Sequence, residues 1–399
     1  MFSVPTLVSL LLLAVPHVVY ADPCVAFDAE FNLLAFGLNG KDWNAGQQSS
    51  WGSGDLTFAG SATDITASGR PPFDGTGTTC YLAQFFNAIY VLNGDKSNPS
   101  DVHVYDAAAK SWTTQKTNTN NFDLTNFAAI LDHDTNVFYA LSKGDLWFLD
   151  MSSLKAATSS ALPWTNAETS PYGSDYQPTM ALAQNHVHFI GTPGTPAGSA
   201  EIFVIHFSFF QPQAQAYSGP QFPATHGQTT SFFQSEGVQQ EFAFIPDDFS
   251  NVYVINVESN TTTTLAAPPS KDTNARYASS ITALVQLDST GVVSFVPYKQ
   301  GDASTNSAAT WSSVAPIAAV AGTSSGSSSA AVSGISTGSS GSKTSATGSG
   351  APAGTRLSGT ASATGASAST TGTSNGAMSN AVSFGSIAGV MLAVLAYLH

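Results

Sequence analysis

The side chains with the most chemical potential in this chain are its imidazoles. His186-Val187-His188 lies in an apolar run. Strand side chains alternate, so the spacing puts both rings on one face of a strand. His186 and His188 are the best metal-site candidates in the sequence, with further histidines at 103, 133, 206 and 226. Carboxylates come next. Asp132-His133-Asp134 and Asp247-Asp248 offer oxygens to a calcium ion or a carboxylate pair for acid–base work. Calcium takes six to eight oxygens, more than either motif supplies. Both motifs fall where a hairpin turn is expected, and Asp is common there because it caps the backbone. Turn roles are therefore expected for both. The chain has no G-x-S-x-G, no P-loop and no dinucleotide fingerprint, so those enzyme classes lack support. No catalytic residue and no cofactor are assigned.

Aromatic side chains are the other resource. Trp112 and Trp147 sit at strand positions and are expected in the core. Trp43, Trp51 and Trp164 lie among Gly, Asn, Ser and Pro, in loop-like sequence. Loop tryptophans stack on sugar faces when exposed and fill space under the loops when buried; these three are carried forward as possible ligand contacts.

The elements that must position these groups are short strands. Apolar runs start near Thr79, Phe127, Thr179, Thr230 and Ser280, stepping by roughly 50 residues, close to the period of a propeller blade. Each is followed by a second run: 89–92, 137–141, 187–190, 241–245 and 292–296. The first four have a third: 101–105, 145–149, 201–205 and 251–255. The runs are rich in Val, Ile, Phe and Tyr, as strands are. Turn residues separate them, among them Asn93-Gly94-Asp95 and Asp288-Ser289-Thr290-Gly291. The N-terminal stretch 25–58 supplies one more unit. The expected fold is all-β: a β-propeller of about six four-stranded blades, or seven if the N-terminal stretch recruits more chain. Helices should be rare.

Composition narrows the partners. The chain has 399 residues, with 12 Lys+Arg against 26 Asp+Glu and a formal charge of −14. No basic cluster exists, which argues against nucleic acid. Charged residues are only 10% and aromatics 11%, so a substantial core is expected.

The two ends speak of location. An apolar run from Leu10 to Val15 sits in a segment ending Val19-Tyr20-Ala21, the small-residue pattern of a signal-peptidase site. At the other end, Ser374-Asn375-Gly376 precedes a polar spacer and the apolar tail 387–398, the pattern of a GPI-anchor signal. Asn375 is the expected acceptor, with Ser374 or Gly376 next. From Gly322, Ser, Thr, Gly and Ala dominate, a composition that stays disordered and accepts O-linked sugars. The organisation read from sequence is a leader (1–21), a propeller (22–314), a Ser/Thr/Gly/Ala-rich stalk (315–375) and an anchor propeptide (376–399). In a secreted chain the only two cysteines, Cys24 and Cys80, are expected to pair, a bond worth roughly 4 kcal/mol in the loop-entropy account. Asn260-Thr261-Thr262 is the single N-glycosylation sequon.

Blade two also carries a family resemblance. Ile89-Tyr90-Val91-Leu92-Asn93-Gly94, then Val104-Tyr105-Asp106, then Trp112 resembles a kelch repeat: an apolar run, a Gly pair, and a Tyr and Trp at fixed spacing. The Gly pair is reduced to Asn93-Gly94, and elsewhere Ser142-Lys143-Gly144 and Gly191-Thr192-Pro193 take its place. Over roughly 26–314 the chain resembles kelch-like propellers of the galactose-oxidase-like group. With leader, stalk and anchor it is similar to fungal cell-surface proteins. Secreted copper radical oxidases share such scaffolds, and the resemblance implies their needs: two His, a Tyr ligand and a second Tyr crosslinked to a free Cys. A Cys24–Cys80 bond leaves no such Cys. The expectation is a monomeric cell-surface module that binds wall glycan or an extracellular protein and reaches the membrane through its lipid anchor. A secreted oxidase or glycan-active hydrolase, and a structural wall protein, are the alternatives.

Overall fold

A computed structural model describes residues 21–52 and 60–321. They form six antiparallel sheets, each built from one contiguous segment. Blade 1 comprises Cys24–Phe27, Leu33–Leu38, Lys41–Asn44 and Thr63–Asp64. Blade 2 comprises Thr79–Ala83, Ala88–Leu92, Val102–Asp106 and Ser111–Gln115. Blade 3 is built from Ala128–Asp132, Val137–Ser142, Asp145–Asp150 and Thr165–Thr169. Blade 4 has Thr179–Ala183, His186–Ile190 and Ser199–Val204. Its outer strand is split into Phe209–Phe210 and Gln215–Ala216. Pro212 sits in the gap and cannot donate to a ladder. Blade 5 comprises Gly227–Ser231, Glu241–Pro246, Val252–Asn256 and Thr261–Leu265, and blade 6 Arg276–Ser279, Ala283–Leu287, Val293–Pro297 and Ser312–Ser313.

The first strand of every blade neighbours the first strands of the blades before and after it, and blade 6 returns to blade 1. The ring therefore closes at six, and the seventh blade entertained from sequence is absent from it. Five buried clusters fill the clefts between blades. Each blade leaves two apolar faces that only a neighbour can cover, so burial itself enforces the circular stack. Tight turns follow from local chemistry: Gln184 and Asn185 both adopt positive φ (48° and 56°), the geometry of a two-residue hairpin.

Blade 6 differs from the sequence reading. The run starting at Ser280 and the run 292–296 were expected as first and second strands. Here the first strand is Arg276–Ser279, and Val293–Pro297 is the third. A turn hides inside the first run: Ser280 Oγ accepts from Thr282 N (3.2 Å) and Ala283 N (3.1 Å). Blade 5 likewise starts three residues early, at Gly227. Only glycine fits there, since a Cβ would lie 2.3 Å from Ile245 O.

Closure between blades 6 and 1 uses no exchanged strand. Trp51 is fully buried between Phe27 (ring centroids 6.2 Å) and Phe295 (5.0 Å). A short helix, Ala315–Ala321, follows the last strand. Ala315 N donates to Trp51 O (3.3 Å) and Ala62 N to Pro316 O (3.0 Å). Val314 and Ile317 are buried in the same cluster, so the folded part continues past the boundary at 314 into the segment assigned to the stalk. The Cys24–Cys80 disulfide, spanning 56 positions, joins the inner strands of blades 1 and 2. The proposed leader (1–20 of it), the rest of the stalk and Asn375 with its anchor signal lie outside the described residues.

Trp51→Ala should lower stability by about 3–5 kcal/mol, the usual cost of emptying a large aromatic site. Urea unfolding of the variant against the native chain measures it; an unchanged midpoint would show that closure does not depend on this ring.

Candidate ligand channel

The six inner strands surround a channel of about 530 Å³. At the end where inner strands turn into second strands, three rings from alternate blades meet. Phe233 of blade 5 lies 5.6 Å from Phe31 of blade 1 and 5.8 Å from His133 of blade 3. Contacts between alternate blades must cross the axis, so this trio stoppers the channel. Exposed Phe85 stacks on the outer side of His133 (6.2 Å). The opposite end, where inner strands begin, is rimmed by exposed Asn126, Gln177, His226 and Thr273.

Hydroxyls on the inner strands tie blade to blade. Thr229 Oγ1 donates to Met180 O, Ser231 Oγ to Leu182 O (2.6 Å), Ser279 Oγ to Ser231 O (2.6 Å) and Tyr81 OH to Ala129 O (3.0 Å). Inner strands are sheet edges, and these bonds occupy carbonyls that would otherwise face the lumen unpaired. At the rim, Arg276 donates from Nε to Thr78 O (2.7 Å) and pairs through Nη2 with Asp22 (3.3 Å). His226 Nδ1 meets Asp247 Oδ2 at 2.8 Å. Burial pushes the phenols of Tyr81 and Tyr277 up, so both stay neutral.

The residues singled out from sequence are distributed differently from that site. His186 and His188 do share one strand and one face, but the face packs between blades. His188 is 2% exposed, 5.3 Å from the Phe242 ring, and its Nδ1 has no partner. Burial pushes its pKa down to about 3 and also lowers that of His186. Among the described residues no group of three or more His, Cys, Asp or Glu is placed to hold a metal. The acidic motifs cap turns as expected. Asp132 accepts from Thr135 Oγ1 (2.6 Å), and Asp248 from Ser250 N (2.8 Å).

The three loop tryptophans are a correction. Trp43, Trp51 and Trp164 are 9%, 0% and 2% exposed. Each has its surface taken by packing: Trp164 stacks on Phe122 at 4.2 Å, and Trp43 and Trp51 donate from Nε1 to Leu38 O and Gly46 O. None presents a ring to a ligand: Trp43 proves to lie in the third strand of blade 1, and Trp51 and Trp164 fill space beneath the segments that carry them. Trp112 and Trp147 are buried, as expected. Asn260 is exposed at a hairpin with φ 52°, accessible to a glycan. Sequence reading missed the inner-strand hydroxyls, though the run Gln228-Thr229-Thr230-Ser231 signals a strand facing something polar on both sides.

No protein-family model matches the chain, and no curated protein sequence matches it. Among solved structures, a crystal structure of a nidogen/laminin complex is similar over 62% of this chain and 80% of that one, at 12% identity and a TM-score of 0.38. The propeller assignment rests on the six sheets themselves. No described helix is long and apolar enough to cross a membrane.

His103, His133, His186 and His188 all have pKa values lowered chiefly by burial. Each takes up a proton less readily when folded than when unfolded, where protonation sets in below the ordinary 6.5. Stability should therefore fall as pH drops from 6.5, by about 1.4 kcal/mol per pH unit for each fully affected histidine. Urea unfolding at pH 7, 6 and 5 should show His188→Gln losing less per unit than the native chain, by about one proton; parallel curves would contradict this.

Proposed function

We propose that this chain is a secreted, kelch-like binding propeller of the fungal cell surface, held by a GPI anchor at Asn375 on a glycosylated stalk. It binds wall glycan or an extracellular protein. The observation that carries this reading is the channel, stoppered at one end and rimmed by exposed polar residues at the other. Such a concavity retains a ligand without needing reactive groups. The disulfide also weighs against the copper radical oxidase alternative. Both cysteine sulfurs of the chain are in one bond, leaving no thiol for a tyrosine crosslink. A protein partner is favoured by a separate feature. Exposed Phe85 and Phe207 (68% and 72%) emerge from turns on the stoppered face, and exposed Phe209 (41%) opens the split outer strand beside Phe207; exposed aromatics are common anchors of protein interfaces.

The purified protein should bind at least one member of a panel of wall polysaccharides and glycans, saturably and competably, or retain a wall protein through the Phe85 face. Failure of both, with the protein folded, would leave a structural wall role. Phosphatidylinositol-specific phospholipase should release the protein from intact cells, and Asn375→Gln should prevent its display there; retention after the lipase would refute the anchor.

A further inference from the structure

The channel has chemical features that narrow its ligand beyond a binding role in general. We propose that it receives the end of an uncharged saccharide, entering from the rim of Asn126, Gln177, His226 and Thr273. This deepens the binding-module reading and rests on it.

Charge is the first constraint. No Asp, Glu or Lys is among the residues lining the channel. Its one guanidinium, Arg276, is already held by Asp22 and Thr78 O at the rim; of its two imidazoles, His226 is bonded to Asp247 and His133 is packed between Phe85 and Phe233. An anion inside would find no free cation and a cation no carboxylate, and an unpaired desolvated charge is costly. The ligand is therefore neutral.

Polarity is the second. The wall is rich in hydroxyls: blades 5 and 6 contribute Thr229, Ser231 and Ser279, and blades 2 and 4 contribute Thr79 and Thr179. The hydroxyls of Thr229, Ser231 and Ser279 have their protons committed to backbone carbonyls, so the oxygens of Thr229 and Ser231 are left as acceptors, while that of Ser279 already accepts from Thr230 Oγ1 (2.9 Å). Inner strands are edges of their sheets, and alternate backbone N–H groups point to the lumen as donors. A ligand bearing groups that both donate and accept satisfies that wall, and hydroxyls do both. The half-buried rings of Tyr81 and Tyr277 also line the channel and suit the C–H face of a sugar. A pyranose combines a hydroxylated edge with an apolar face, matching the hydroxyls and the two tyrosine rings.

Size and closure are the third. About 530 Å³ falls in the range of roughly 300–1,000 Å³ usual for small-molecule sites. The Phe31–His133–Phe233 stopper prevents a polymer from threading through. The site therefore reads a chain end and not an internal stretch.

The test uses the purified full-length protein. Methyl glycosides of glucose, mannose, galactose and N-acetylglucosamine, with β-1,3- and β-1,4-linked disaccharides, are titrated by calorimetry and saturation-transfer NMR. Glucuronic acid and glucosamine serve as charged controls. At least one neutral sugar should bind, and the charged controls should bind more weakly. Thr229→Val should weaken binding about tenfold by removing one hydrogen-bonding oxygen, and Ser231→Leu should abolish it by filling the lumen. Lys155→Ala, at an exposed residue outside the channel lining, should leave it unchanged. Urea midpoints confirm that each variant folds, with Ser231→Ala replacing any that does not. Binding that persists in the channel variants overturns the channel assignment and leaves the binding-module reading standing. Preference for a charged sugar overturns the neutral class. No binding of any small sugar overturns the inference; if polysaccharides and wall proteins also fail to bind, the binding-module reading falls with it.

Discussion

Everything else in this molecule depends on how its ring is closed. Both the first and the last blade are complete within their own segments, so no strand is lent across the seam. Side chains must hold it. Trp51 fills the cleft between Phe27 and Phe295, Arg276 of blade 6 reaches Asp22 at the entrance to blade 1, and the terminal helix binds back onto the loop that carries Trp51. A strand-exchange seam would be cooperative through its ladder of hydrogen bonds. Here cooperativity comes from desolvated aromatic area, non-directional and proportional to the surface removed from water. The last helix is therefore part of the fold, although its sequence, Ala315-Pro316-Ile317-Ala318-Ala319-Val320-Ala321, blends into the low-complexity stretch after it.

Closure creates the second constraint, at the axis. Six inner strands converge there, each exposing one edge of its backbone. Large side chains pointing inward would fill the lumen; unpaired carbonyls facing it would be unsatisfied. Thr229, Ser231 and Ser279 meet both demands, being small and each donating to a neighbouring strand's carbonyl. The same atoms that knit blades 4, 5 and 6 together line the channel with hydroxyls. Structural and binding roles are thus not separable at these positions, which is why a hydroxyl-rich inner strand is informative about both.

The blade pattern was legible in the sequence wherever turns were marked by Gly, Asn or Asp. Blades 2, 3 and 4 have their first strands at, or within one residue of, the expected positions. Blade 6 was misread because Ser280, at the head of an apolar run, closes a turn with its side-chain hydroxyl. The paired histidines were correctly set on one strand face, but alternation alone does not reveal which face a neighbouring blade covers. Trp43, Trp51 and Trp164 failed as ligand contacts for a related reason. Gly- and Asn-rich sequence reads as loop, yet it hid the strand that carries Trp43, and whether a loop folds over its own tryptophan depends on the blade beneath.

By itself, the sequence determined strand content, blade repetition, the single disulfide possible with two cysteines, and turn roles for the acidic motifs. Those are local or combinatorial properties, decided by side-chain alternation, turn chemistry and cysteine count. Tertiary structure alone decided that the ring closes at six, that Phe31, His133 and Phe233 stopper the axis, and that His188 is sealed between blades. Each of those joins residues from blades far apart in sequence. Only the angle at which neighbouring sheets pack brings them together, and that angle emerges from the summed packing of all the clefts, with no single segment encoding it.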